Sequence, residues 1–299
     1  MEATTGTLVN LSHDIAAAVA KAAKALVRVD DGSRFTATGV VWQEGVVVTT
    51  SHGVERDEDI AIVLADGTRL AATLMGRDGD TDIAVLKVEG VLPPPVDRQV
   101  NEEAVHVGNL AIAVARPGNG GLTATLGLIS RKYETETDGQ SEYILNTDAV
   151  LYPGFSGGAL IDVHGQFVGL INRLFGQGMG VALGTPLVAR VAGLLLAHGK
   201  MPRGYLGVRT QLVRLPENLR AGLSLAQEQG LLISGVSPQS PADKAGLFLG
   251  DTLLKMNGSA VEDVEDLKRH LHVGQTVPLT VLRGGAITEL SAVIEAEKE

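Results

Sequence analysis

The chain has 299 residues, 44% of them hydrophobic and 20% charged, enough for about two domains with separate cores and too apolar for disorder. Its formal net charge of -10, without any run of Lys or Arg, argues against a nucleic-acid partner. The absence of cysteine excludes disulfides, thiolate nucleophiles and cysteine metal sites.

His13, Asp14, Lys21 and Lys24 interrupt the most apolar part of the N-terminus, leaving neither a signal-peptide core nor a membrane span of about 20 residues. As written, the chain is expected to be soluble and cytoplasmic; the alternative is a periplasmic or cell-envelope protein whose leader has been removed. Residues 13–26 are predicted to form a helix capped by Ser12, with Ile15, Val19, Ala22 and Leu26 on one face. That face suits packing on its own domain or, as the second option, a subunit contact.

Short β-branched strands follow at 35–42, 45–50, 60–64, 69–76, 83–88, 110–114, 122–132, 143–146, 167–172 and 180–183. Turn residues such as Asp66-Gly67 separate them, the pattern of an all-β barrel or sandwich. Helical spacing returns over 185–198 and stops at Gly199, ahead of a linker at Pro202. After Arg203 a second unit mixes strands and helices. In it Ser240-Pro241-Ala242-Asp243 reads as a helix start stopped by Gly246, 252–256 as a strand before an Asn257-Gly258 turn, and 261–271 as an amphipathic helix.

The strongest chemical signal is Tyr152-Pro153-Gly154-Phe155-Ser156-Gly157-Gly158-Ala159-Leu160, a serine among glycines before an apolar strand. A serine hydroxyl needs a neighbouring base, and its attack needs N–H donors aimed at the developing oxyanion. Gly154 and Gly157 can take the backbone angles that turn the N–H groups of Gly154 and Ser156 toward one point. Of the seven histidines, only His52 directly follows a buried strand, where an imidazole can be held firmly. Asp82 is the acid that touches the apolar run Ile83-Ala84-Val85-Leu86, while Asp78 and Asp80 read as turn residues. The order His52, Asp82, Ser156 across an all-β region matches a solution in which the first two residues lie on one barrel and the serine on the next.

On this text the chain resembles the HtrA/Deg family of trypsin-like serine proteases over nearly its whole length. The matching segments are Thr49-Thr50-Ser51-His52, Thr81-Asp82-Ile83-Ala84-Val85-Leu86-Lys87, Asn146-Thr147-Asp148-Ala149 and the Gly154 to Leu160 run. The resemblance implies a mainly β fold: an N-terminal helical segment at 1–28, a chymotrypsin-like double β-barrel at 29–198, a linker at 199–204 and a mixed α/β PDZ domain at 205–299. It implies the triad His52, Asp82 and Ser156, an oxyanion hole from the N–H groups of Gly154 and Ser156, and a homotrimer. The pocket for the residue before the cut would be lined by Val150, Leu151, Leu174 and Val181, with Arg173 beside it. Two positions depart from the usual pattern: Phe155 stands where a polar residue is common, and Gly53 where a branched apolar one is.

Arg203-Gly204-Tyr205-Leu206-Gly207-Val208 resembles the carboxylate-binding loop of PDZ domains, and 230–251 their core. Free N–H groups at Leu206, Gly207 and Val208 would hold a chain-terminal carboxylate, with Tyr205 in the same loop and Leu267 and Leu271 on the helix forming the far wall. The expected activity is endoproteolysis of unfolded polypeptide through an acyl-enzyme, which needs no metal or cofactor, with peptide C-termini as further partners. The alternatives are a weak or inactive protease-fold chaperone, for which Phe155 and Gly53 are the support, and a scaffold acting only through its PDZ unit.

Overall fold

The computed structural model describes residues 2–33, 36–99, 102–118, 121–137, 140–173, 180–201 and 204–297. The chain divides into two compact units, Met1–Met201 and Pro202–Glu299.

The first unit opens with α1 (Glu2–Ala23), which starts well before Ser12 and ends before Leu26. Ser12 is exposed on the helix, where its hydroxyl meets water and breaks nothing. Leu26 belongs instead to the first strand, paired with Val40. Ile15, Val19 and Ala22 pack on the core as their spacing predicts, whereas Leu8, Val9 and Leu11 stay exposed.

Six strands, β1 (Leu26–Asp30), β2 (Ala37–Gln43), β3 (Val46–Thr50), β4 (Ile60–Val63), β5 (Arg69–Asp78) and β6 (Ile83–Val88), close a barrel in the order β1-β2-β3-β6-β5-β4. Six more, β7 (Leu110–Ala115), β8 (Thr123–Thr137), β9 (Gln140–Thr147), β10 (Ala159–Ile161), β11 (Phe167–Asn172) and β12 (Gly180–Gly184), close a second in the order β10-β11-β12-β9-β8-β7. All pairings are antiparallel, the expected double barrel. Strand β7 reads as an unbroken apolar run because both faces are buried: Ala111, Ala113 and Ala115 face the second barrel's interior, while Ile112 and Val114 join the core shared with α1 and the first barrel. Hairpin β8–β9 runs further than predicted, since its polar end from Glu134 onward offers no apolar alternation to read.

Helix α2 (Thr185–His198) lays Leu187, Val188, Val191, Ala192 and Leu195 on the same core. Arg190 pins it by a two-pronged pair with buried Glu142 of β9, at 2.6 and 3.1 Å. Gly199, left-handed at φ 73°, returns its N–H to Leu195 O and ends the helix where predicted.

In the second unit, β13 (Gly204–Tyr205) pairs with the final β20 (Glu295–Ala296). The strands β14 (Val208–Arg214), β15 (Gln229–Val236), β16 (Thr252–Met256), β18 (Thr276–Arg283) and β19 (Ala286–Val293) form one sheet in that order, with β17 (Ser259–Ala260) beside β16. Helices α3 (Glu217–Leu223), α4 (Pro241–Lys244) and α5 (Val264–Arg269) complete it. The α4 start is as read: Ser240 Oγ accepts the Asp243 N–H at 3.2 Å and Pro241 takes the first helical position. The predicted 261–271 helix is shorter because Asp263 caps it, accepting the N–H of Asp266 at 2.8 Å.

Candidate active site

Register brings His52 and Asp82 together. Strands β3 and β6 pair Thr50 with Ile83, so His52 and Asp82 lie just beyond one end of that ladder. His52 sits in a 3-10 turn, Ser51–Gly53. Asp82 holds a left-handed backbone, φ 57°, which costs a non-glycine residue about 1 kcal/mol or more and must be imposed by its surroundings. The imposition is visible: the Asp78 carboxylate accepts the N–H of Thr81 at 3.1 Å and its hydroxyl at 2.6 Å, and Ser51 N–H donates to Asp82 O at 2.8 Å.

Buried Asp82 presents one oxygen, Oδ1, to the His52 N–H at 2.8 Å and the other, Oδ2, to His52 Nδ1 at 2.5 Å. A carboxylate on Nδ1 makes that nitrogen the proton carrier and leaves Nε2 with its lone pair, the tautomer a general base requires. Wholly buried Asn172, at the end of β11 in the other barrel, donates Nδ2 to Asp82 Oδ2 at 2.9 Å. The sequence reading overlooked Asn172, whose only signal is its position at the end of a strand in the serine's barrel. The His52 side chain remains one-third exposed at 33%, open to a substrate.

Ser156 lies in the loop between β9 and β10, and its neighbours fix it closely. Gly154 (φ 87°) and Gly157 (φ 79°) are both left-handed, and a Cβ on Gly157 would lie 2.0 Å from Thr38 O. Phe155 N–H donates to Tyr152 O, Gly157 N–H to Ile171 O and Gly158 N–H to Phe155 O, at 2.9 to 3.1 Å. Among the described residues the N–H groups of Gly154 and Ser156 alone in this run from 154 to 158 find no internal acceptor. A backbone N–H away from water normally has a partner, so two spare donors two positions apart suit an incoming anionic oxygen. No hydrogen bond joins Ser156 Oγ to His52 Nε2 among the described residues, a contact that in unliganded hydrolases commonly closes on substrate.

The two departures from the family pattern are accommodated. Phe155 is fully buried in the second barrel with Leu160, Ile171 and Ala182, its ring edge-on to Tyr152 at 5.9 Å. It anchors the serine loop by packing. At Gly53 a Cβ would come within 2.6 Å of Ala37 Cβ, so the room a larger residue would need is filled. Of the residues expected to line the pocket, Val181 is buried in β12 and pairs with Asn172, Leu151 packs on the second core, and Val150 is exposed. Leu174 lies outside the described residues. Arg173 is exposed.

In the second unit β14 is an edge strand, its outer side unpaired within the sheet. Gly207 is left-handed (φ 84°), and a Cβ there would strike Ser240 Cβ at 2.2 Å. The carbonyls of Leu206 and Gly207 accept from Ala242 and Ser237, both at 2.8 Å, while the N–H groups of the same two residues have no internal acceptor among the described residues. Val208 opens β14 opposite Val236, and Tyr205 pairs with Glu295. Leu267 is buried and Leu271 packs beside it, close to Gly204.

Residues 37–170 match the family model of a trypsin-like peptidase domain, and residues 204–294 that of a PDZ domain. A probable periplasmic serine endoprotease, DegP-like, of Brucella suis biovar 1 (strain 1330) is 33% identical over 281 residues, covering 90% of this chain and 53% of that protein. The protein of the same description from Rhizobium meliloti (strain 1021) is 34% identical over 262 residues, 85% of this chain and 51% of the relative. The chain thus spans about half the length of these curated relatives. Among solved structures, the HtrA-type protease AlgW with a decapeptide superposes with a TM-score of 0.70 at 28% identity, over 95% of this chain and 99% of that one. The serine endoprotease from Yersinia pestis gives 0.67 at 29%, over 94% and 97%. With two closed barrels followed by a PDZ sheet, the chain joins a trypsin-like peptidase domain to a PDZ domain and is similar over most of its length to proteins described as DegP-like serine endoproteases and HtrA-type proteases.

Proposed function

We propose that the chain is a serine endopeptidase in which His52, Asp82 and Ser156 act as the triad, cleaving unfolded or misfolded polypeptide. One observation carries this reading: a histidine oriented by a buried carboxylate, together with two N–H groups left without acceptors at and beside the serine. His52 Nε2 takes the Ser156 proton as Oγ bonds to the peptide carbonyl carbon, and the oxyanion is held by the N–H groups of Gly154 and Ser156. Asp82 stays ionised and stabilises the imidazolium. The C–N bond then breaks as the amine takes the proton from His52, and water attacks the acyl-enzyme by the same steps in reverse roles.

The pocket for the residue before the cut is assigned to Val150, Leu151, Leu174 and Val181. None carries a carboxylate, so the desolvation of Lys or Arg, several kcal/mol per unpaired ion, goes uncompensated. Val, Ile, Ala and Leu are the expected residues. In the PDZ unit, the N–H groups of Leu206, Gly207 and Val208 would take a peptide's terminal carboxylate while the peptide adds a strand along β14 and against Leu267 and Leu271. A homotrimer is the assembly we propose; the exposed Leu8, Val9 and Leu11 of α1 and Leu126 and Leu128 of β8 are apolar surface a second copy would cover. The relatives' descriptions favour the periplasmic location over the cytoplasmic one. No helix among the described residues is long and apolar enough to cross a membrane.

The test is digestion of casein with cut sites mapped by mass spectrometry. Ser156→Ala should abolish cleavage and leave the thermal transition nearly unchanged; cleavage at wild-type levels in that variant refutes the triad. A majority of cuts after Lys, Arg or acidic residues refutes the pocket and spares the triad.

A further inference from the structure

The serine loop belongs to the second barrel and the base to the first, so something must fix one against the other. Thr38, in β2 of the first barrel and without solvent exposure, is placed to do it. Its N–H donates to Ser156 O at 3.0 Å and its hydroxyl donates to Gly154 O at 2.8 Å. A single residue therefore grips the carbonyls of the two residues whose N–H groups are free. The direction of the hydroxyl proton is settled by a second bond: Arg116 N–H donates to Thr38 Oγ1 at 3.0 Å, which leaves the single hydroxyl hydrogen for Gly154 O. Arg116 is itself anchored, its guanidinium donating to Leu26 O at 2.8 Å and Ala23 O at 3.1 Å. Thr49 closes the arrangement, its hydroxyl donating to Thr38 O at 2.7 Å.

Glycine at 154 has the widest choice of backbone angles, so its peptide plane needs an external hold. One end of that plane, Gly154 O, is tied to the Thr38 hydroxyl; the other, Phe155 N–H, is tied to Tyr152 O at 3.1 Å. We propose that Thr38 is the positioning residue of the oxyanion loop, its hydroxyl holding the 154–156 segment in the form that leaves both N–H groups available. This inference rests on the endopeptidase reading above. It is specific to the hydroxyl, because the backbone bond from Thr38 to Ser156 survives any side chain.

The experiment compares wild type with Thr38→Val, Thr38→Ala and Thr38→Ser on a fluorogenic peptide, with inhibition by the matching peptide boronate, a tetrahedral-adduct former. Misplaced donors act on the transition state, so Thr38→Val and Thr38→Ala should lower kcat about 10- to 100-fold and weaken the boronate in parallel, while KM moves less than about threefold. Thr38→Ser, which keeps the hydroxyl, should stay within about threefold of wild type. An inactive wild type would sink the endopeptidase reading and the inference with it. An active wild type with kcat unchanged in Thr38→Val and Thr38→Ala would overturn the inference alone. So would a fall in KM affinity and kcat together with loss of the thermal transition in both variants, which would make the hydroxyl a folding group only.

Discussion

Gly157 sits where the serine loop of the second barrel meets β2 and β3 of the first, and Gly157→Ala is a wedge driven into that contact. The new methyl would stand 2.0 Å from Thr38 O and 2.4 Å from Thr49 Oγ1, against an ordinary separation of about 3.4 Å or more. Strands β2 and β3 would have to retreat by about 1 Å or more, or the serine loop would have to move away from them. The left-handed backbone, φ 79°, costs alanine about 1–2 kcal/mol. Overpacking adds about 1–3 kcal/mol. The sum, about 2–5 kcal/mol, corresponds to a Tm fall of about 4–20 °C for a unit of this size. Turnover should fall further than stability implies, by about 100-fold or more, because displacement of reacting groups by about 1 Å is enough for that. Gly79→Ala is the control: its Cβ would meet nothing within 4 Å, and its stability should change by less than about 0.5 kcal/mol. Differential scanning calorimetry and kcat on a fluorogenic peptide decide the matter. A Gly157→Ala enzyme with wild-type Tm and wild-type kcat would refute this account of the seam.

Asn172→Leu removes the third donor from the buried Asp82 carboxylate; with a charge-assisted bond worth about 1.5–3 kcal/mol, kcat should fall about 10-fold or more at little change in KM, and an effect below about twofold would show that the two bonds from His52 suffice. Tyr143 predicts an alkaline limit: burial pushes its hydroxyl up to about 12, above an unfolded value of about 10. Because the folded value is the higher one, the contribution is intact below pH ~10 and is lost as pH rises toward ~12, amounting to about 2–3 kcal/mol. Denaturant melts between pH 9 and 12 should show this loss, and Tyr143→Phe should abolish it; an equal alkaline decline in both proteins would refute the assignment.

Much of this is legible in the sequence, and the reasons are local. His52 follows a run of Val and Thr too apolar to be anything but a buried strand, and Asp82 precedes another, so their meeting across the β3–β6 ladder needs only that the two strands pair. The Gly154 to Gly158 run announces its own strained turn. Asn172 and Thr38 announce nothing. Each is a single polar residue within a buried strand, and the property that matters, which partner faces it from the other barrel, is created by register and packing and has no period along the chain. The same holds for Phe155: a large apolar residue beside the serine looks misplaced in one dimension, yet the barrel interior behind the loop receives it. Helix α1 failed in a different way, since Ser12 is a good cap by type, and only the presence of a helical turn before it makes it an interior residue.

Each barrel is closed, and a closed barrel has no free strand edge through which to unravel. The residues proposed for chemistry are nevertheless divided between the two, held in alignment by the bonds of Thr38 and Asn172 and by apolar contact. Alignment of this kind can be lost while both components keep their own ladders intact. Turnover is then a gauge of registration between two rigid bodies, whereas far-UV circular dichroism gauges the bodies themselves. Rising denaturant should extinguish the first well before it alters the second, and dilution should bring activity back without the delay that refolding of twelve strands would impose.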